Sequence, residues 1–363
     1  MMEHWVAVLG QRDEPTDGVE EYCRYLGAAL SKHAIQLSLV RVPWAAVGWP
    51  KAIAQLEQHL RPLQPSWVLI QYTALAWSRR GFPLQVIRLV RALKKASVRC
   101  AVVFHDPVPY SGDRVADWIR RAVQLYVMRC IARLADFAVL TITPERLVWL
   151  PTDVRNSRFI PVGANLPHPE TVWHLHKTKP DVPTIAVFSI TGGPPGEIEL
   201  ARISEALRFV SNQIGSVRLS VFGRNADTDA RGLKDKLAGT QTEVVIRGLL
   251  TPEQIVETLG RSDALLFVRG PISTRRGTAL AGIACGLPVI AWEGPETAGP
   301  IREAGVVLVP ENSGREFGKA LVQVLQDQAC RQLLQERSER AQAQYFSWDA
   351  IAAEYLAALH SSN

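Results

Sequence analysis

The chain has 363 residues, of which 47% are hydrophobic and 21% charged, with a net charge of +6. That length suits two domains of ordinary size, and the balance is that of a packed globular protein, not a disordered or fibrous one. No apolar run reaches the ~18–20 residues of a membrane span. Five cysteines without CxxC spacing read as reduced core residues, not a disulfide frame or zinc site.

The first expected element is a buried strand, Val6-Ala7-Val8-Leu9, ending at Gly10. A loop over 11–17 follows, and Gly18 opens a helix over 19–32. Further short strands are expected over 35–40, 68–72, 102–105, 137–140 and 159–160, with helices over 51–60, 84–96 and 115–134 between them. Strands alternating with helices argue for a parallel sheet covered on both faces. Residues 166–183 are rich in proline and lack periodicity, so they read as a linker. A second alternating series follows, with strands over 185–188, 218–222, 244–246, 264–268, 289–291 and 306–308. The expected organisation is therefore an N-terminal domain over 1–165, a C-terminal domain over 184–346, and a last helix over 347–363 returning to the first domain. Open α/β sheets bind ligands beyond the carboxyl ends of their strands.

Charge is uneven. Residues 1–165 hold 21 basic and 13 acidic residues, and the stretch 79–133 alone holds 12 basic and 3 acidic. Such a patch attracts anionic lipid head groups or nucleic acid, although no nucleic-acid module is recognisable. The helix over 115–134 puts Val115, Trp118, Ile119, Ala122, Leu125 and Tyr126 on one face, which is expected to face the core. With the basic residues nearby, peripheral contact with an anionic membrane through residues 79–133 is also expected. The N-terminus lacks a signal-peptide pattern, so the expected location is the cytoplasm, at the inner face of the plasma membrane if the basic patch is used.

Residues 269–309 are the most informative. They read as a loop with two arginines, a helix of small residues, a Gly-Leu-Pro turn and a buried strand. Arg275-Arg276 sit where the first helical N–H groups point, and Gly277 frees the backbone before the helix. Helix starts carry unpaired donors and partial positive charge, so this place suits a diphosphate, with Thr278 beside it. Cys285-Gly286-Leu287-Pro288 ends the helix, with glycine in the left-handed cap.

The string Leu280-Ala281-Gly282-Ile283-Ala284-Cys285-Gly286-Leu287-Pro288-Val289-Ile290-Ala291 resembles the nucleotide-sugar-binding half of GT-B glycosyltransferases of the retaining family 4. Asp17-Gly18-Val19-Glu20-Glu21-Tyr22, Phe104-His105-Asp106, Ile160-Pro161-Val162-Gly163-Ala164-Asn165, Val221-Phe222-Gly223 and Phe346-Ser347-Trp348 are similar to further family strings, in the family's order. The resemblance implies an α/β GT-B fold, two Rossmann-like domains facing across a cleft. It implies transfer of a sugar from a nucleotide-diphosphate sugar to a hydroxyl of a glycan or lipid-linked acceptor, in surface polysaccharide or glycolipid synthesis. No metal and no separate cofactor are expected, because the nucleotide sugar is itself the donor substrate. The departure from the pattern is specific: the family's two acidic residues fall on Ser273 and Ala281. A catalytically inactive paralogue that binds nucleotide or sugar is therefore the alternative.

The resemblance implies that His105 contacts the transferred sugar. A neutral imidazole can share a proton with a hydroxyl. Asp106 is expected to orient the acceptor or to cap the turn before Pro107. Gly18 lets backbone approach phosphate or sugar closely. Thr191, Gly192 and Gly193, after the first strand of the second domain, offer hydroxyl and backbone donors to phosphate oxygens. The family's Arg and Lys are missing from that loop, so Arg275 and Arg276 are expected to supply the charge, with Arg269 and Arg224 as lesser candidates. Glu293 is the nearest carboxylate to replace the ribose ligand. Asp227-Thr228-Asp229 has the Asp-x-Asp form of metal sites in a different fold, but is read here as a polar loop.

Overall fold

The computed structural model describes residues 2–14, 16–177 and 182–361. They form two compact units, one of Met1–Val162 with Trp348–Asn363 and one of Gly163–Ser347.

In the first unit, strands β1 (Glu3–Leu9), β2 (Ile35–Arg41), β3 (Trp67–Tyr72), β4 (Cys100–Phe104), β5 (Phe137–Leu140) and β6 (Ser157–Phe159) form one sheet in the order β2-β1-β3-β4-β5-β6. All its pairings are parallel. Strands β3, β4 and β5 are buried at every residue. That is why β4 and β5 read as unbroken apolar runs, and β3 as one interrupted only by Gln71, and not as alternating ones. Helices Trp49–Leu63, Gln85–Lys95 and Val115–Leu134 contribute to the core on one face of the sheet. Helices Gly18–Ser31 and Trp348–His360 fill the other. There Tyr22 and Tyr355 share a hydrogen bond of 2.9 Å, and Trp348 stacks on Tyr25.

Asp17 starts the helix Gly18–Ser31 by accepting from the backbone N–H of Val19 and Glu20. Arg41 locks that corner, donating to the Gly10 carbonyl and to the carboxylates of Asp17 and Glu20.

One expectation fails in this unit. Of the face expected to meet the core, Val115, Trp118, Ile119, Ala122 and Tyr126 are exposed, and Leu125, half-buried, packs against the core. The buried residues of the helix Val115–Leu134 are Gln124, Val127, Met128, Ile131 and Ala132. The helix is apolar on two sides, and periodicity alone does not say which side the sheet takes.

In the second unit, β7 (Thr184–Phe188), β8 (Val217–Phe222), β9 (Thr242–Gly248), β10 (Ala264–Phe267), β11 (Val289–Trp292) and β12 (Val306–Val309) form a second all-parallel sheet, in the order β12-β11-β10-β7-β8-β9. Helices Pro194–Ile214 and Gly314–Gln326 pack against each other over its core. Part of the stretch read as linker is packed here too. Val172, in the 3₁₀ segment Pro169–Lys177, is buried, and the Trp173 indole donates to the Ala284 carbonyl at 2.8 Å. Residues 178–181 of that stretch lie outside the described residues. Gly286 takes the left-handed cap of the helix Gly277–Ala284 at φ 75°, as its place before Leu287-Pro288 predicts.

Candidate functional site

The chemistry-bearing residues fall into two groups, each at the carboxyl ends of its own sheet's strands. In the first unit the group lies after β1, β3 and β4. Gly10 follows β1 because the chain passes there against the Ala76 carbonyl: a Cβ on Gly10 would lie 2.4 Å from that oxygen. Gly18 sits exposed at the first turn of its helix, held by the Asp17 cap.

His105 follows β4, its backbone N–H donating to the Tyr72 carbonyl. Its Nε2 lies 2.7 Å from the Gln71 side-chain oxygen, while the Gln71 amide nitrogen donates to the Leu69 carbonyl at 3.2 Å. Gln71 is buried, and this network assigns its oxygen as the acceptor. His105 Nε2 therefore carries the proton, and Nδ1 is left as the acceptor. The Tyr22 ring meets the imidazole edge-on at 4.9 Å. Burial pushes the His105 pKa down to about 4, against a smaller opposing pull from the Asp17 carboxylate. The imidazole is thus neutral at physiological pH, with a fixed tautomer. Asp106 is exposed beside it, and its charge adds to the burial that raises the Tyr72 hydroxyl. The sequence reading missed Gln71, although an amide inside the buried run Val68-Leu69-Ile70-Gln71-Tyr72 was a visible signal.

In the second unit β7 ends in a turn of unusual backbone. Ser189 adopts φ 66°, and its hydroxyl accepts from the Arg224 backbone N–H at 3.2 Å. The Thr191 N–H donates to the Glu199 carboxylate at 2.8 Å, and Glu199 is buried in the helix Pro194–Ile214. Gly192 and Gly193 are exposed, and Gly193 takes φ 71°. Pro194 and Pro195 bring no N–H to the helix start, so Gly192 and Gly193 supply exposed backbone at this turn. Gly196 packs so closely under the turn that a Cβ would fall 1.8 Å from the Thr191 carbonyl oxygen. We expect Gly196→Ala to force this turn open. That costs about 1–3 kcal/mol as overpacking, readable as a lower melting temperature together with loss of any ligand-induced shift.

Arg269, after β10, directs its Nε to the Thr191 hydroxyl at 3.4 Å. Its pKa is lowered, chiefly by burial; the Glu199 carboxylate opposes this and the charge of Arg224 adds to it. Two guanidinium groups thus bear on one small region beside a glycine turn. An anion placed there would relieve their mutual repulsion.

The pair expected to carry this charge is placed differently. Arg275 forms a two-point ion pair with Glu296, at 2.9 and 3.1 Å, with both side chains largely buried. Its charge is answered within the protein. Arg276 is the N-cap residue of the helix Gly277–Ala284, and its guanidinium reaches toward Gly270. Gly277 is exposed, with open space where a Cβ would sit, so no close approach demands glycine there. Thr278 is half-buried in the same turn. Glu293 is paired with Arg302 near the surface. Ser273 and Ala281 are buried, and the Ser273 hydroxyl has no hydrogen-bond partner among the described residues. Asp227 packs against Gly248, and the Asp229 side chain lies outside the description. Among the described residues no group of three or more His, Cys, Asp or Glu is placed to hold a metal ion, and no helix is long and apolar enough to cross a membrane.

Comparison with known proteins bears on this arrangement. Residues 192–327, which contain the glycine turn's end, Arg224, Arg269 and the helix Gly277–Ala284, match the family described as Glycosyl transferases group 1. No curated protein matches the chain. Among solved structures, a glycosyltransferase from Rickettsia africae superposes with a TM-score of 0.71 at 13% identity, over 99% of this chain and 98% of that one. Sucrose-phosphate synthase from Thermosynechococcus elongatus gives 0.68 at 17% identity, over 99% and 98%. The Anabaena HepE protein, in complex with UDP and glucose, gives 0.65 at 14% identity, over 99% and 100%. The two six-stranded parallel sheets are the two Rossmann-like domains of the GT-B fold. Residues 192–327 thus match Glycosyl transferases group 1, and both units have the fold of these solved structures.

Proposed function

We propose that the chain is a glycosyltransferase that moves a sugar from a nucleotide-diphosphate sugar to a hydroxyl of a glycan or lipid-linked acceptor, with retention at the anomeric carbon. The observation that carries this reading is the turn Thr191–Gly193 with Arg269 at 3.4 Å from the Thr191 hydroxyl and Arg224 close by. In such a transfer the bond from the anomeric carbon to the diphosphate breaks and its electron pair stays on the diphosphate oxygen. The acceptor oxygen bonds to carbon, and its proton passes to the departing phosphate. Fixed positive charge where the diphosphate oxygens gather charge lowers that barrier.

In this reading Arg269 and Arg224 take the role that the sequence alone gave to Arg275 and Arg276. The exposed backbone at Gly192 and Gly193 adds donors, and Glu199 holds the turn in shape. His105 enters as a neutral acceptor: Nδ1 receives a hydrogen bond from a sugar hydroxyl. A uridine nucleotide is the favoured donor class, because the HepE protein of similar fold was solved with UDP and glucose. The reading includes no resident metal, a cytoplasmic location, and a place in polysaccharide or glycolipid assembly.

Thermal melting against UDP, GDP, ADP, CDP and dTDP tests the donor site. A nucleotide at about a hundred times its dissociation constant adds about 2.7 kcal/mol, and we expect UDP to raise the melting temperature clearly. A second reading, a non-catalytic nucleotide- or sugar-binding paralogue, draws on buried Ser273 and Ala281, where no carboxylate stands for a ribose. A UDP shift without any transfer from UDP-sugars would favour it. No shift with any of the five would end the donor-site reading.

A further inference from the structure

The helix Val115–Leu134 carries a second apolar face that stands exposed among the described residues. Val115 is 69% exposed, Trp118 63%, and Ile119 and Tyr126 55% each. At about 100° per residue, these positions and Ala122 form one stripe. It lies opposite Gln124, Val127, Met128 and Ile131, which are buried. Large aromatic and branched side chains held in water on the outside of a packed helix mark a contact surface.

Charge identifies the occupant. Exposed Arg114 and Arg121 flank the stripe, and exposed Arg88 and Arg91 stand on the neighbouring helix Gln85–Lys95. Arg91 lies close enough to act on the Tyr126 hydroxyl. The whole stretch 79–133 carries 12 basic and 3 acidic residues. A second copy of this chain would bring one basic rim against another. An anionic bilayer instead offers acyl chains to the stripe and phosphates to the rim, with Trp and Tyr at the depth they favour. We propose that the outer face of the helix Val115–Leu134 docks the protein onto an anionic membrane surface, lying in its plane. This does not rest on the sugar-transfer reading; it stands on exposure and charge alone.

Co-sedimentation with vesicles of phosphatidylcholine, with and without phosphatidylglycerol, tests it on the full chain. We expect binding only with phosphatidylglycerol present, weakened by salt. Trp118→Ser with Ile119→Ser should lower it about tenfold or more. Arg114→Gln with Arg121→Gln should weaken it and flatten its dependence on anionic lipid. All four side chains are on the surface, so both variants should keep the wild-type melting temperature and the UDP shift. Equal vesicle binding by wild type and Trp118→Ser/Ile119→Ser would overturn the proposal. So would absence of binding to the anionic vesicles, or a concentration-dependent dimer that this variant abolishes.

Discussion

Replacing Arg269 with alanine should lower kcat/KM for a UDP-sugar by about 10²–10³-fold, the range seen when one preorganised donor to a developing oxyanion is removed. The reasoning starts from burial. Arg269 is held in a poorly solvated place, where its charge is screened less than at the surface. It reaches Thr191, and through the Glu199–Thr191 contact it belongs to the same unit as the glycine turn. Arg269→Lys keeps the charge and loses the planar fork, so it should recover only part of the loss. Arg275→Ala provides the contrast. Its partner is Glu296, so its removal strands a largely buried carboxylate. That should cost stability while UDP affinity, corrected for folding, changes little. If Arg275→Ala abolished UDP binding in a folded protein and Arg269→Ala did not, the charge would sit where the sequence first placed it.

The difference between these two placements of the charge shows what a sequence displays and what it hides. The strands of both sheets were readable because β4, β5 and β10 are buried at every residue and apolar throughout, and β3 is broken only by Gln71. The cap at Gly286 was readable because Gly-Leu-Pro leaves few backbone choices. Arg275-Arg276 at a helix start suits a diphosphate and suits a salt bridge equally by spacing. Yet the carboxylate that answers Arg275 lies 21 residues further on, in another loop, and no local pattern announces that pairing. Arg269 has no such local signature, because its neighbour Thr191 is 78 residues away in the chain. The helix Val115–Leu134 misled in the opposite direction. Its outward stripe was periodic enough to pass for a core face, because periodicity reports a face and not its environment. Residue identity survives in the string; pairing across long separations does not.

The same limit applies to Gln71, and it leads to the second large effect. Gln71→Glu should move the acid limb of the pH profile of kcat/KM upward from about pH 4 toward neutrality. In the wild type, burial depresses the His105 pKa to about 4, below its ordinary 6.5. The folded state therefore binds that proton later than the unfolded state. The stabilisation associated with neutral His105 is complete above pH 6.5. It declines as pH falls toward 4, by at most about 1.4 kcal/mol per unit. A carboxylate in place of the amide would sit at the 2.7 Å now spanned by the Gln71 oxygen and His105 Nε2. Opposite charge at that range raises a histidine pKa by about 1–3 units. The variant should then lose less stability between pH 6.5 and 4 than the wild type. It should also lose activity there, because protonated Nδ1 no longer accepts a hydrogen bond. Gln71→Leu removes the oxygen without adding charge; it should lower kcat by releasing the ring while leaving the acid limb low. Activity–pH profiles of the three proteins, with denaturant unfolding at pH 7 and pH 5, separate these outcomes. A profile for Gln71→Glu that superposes on the wild type would mean that neutral His105 has no part in the reaction. Its contact with Gln71 would then serve only to hold β3 and β4 together.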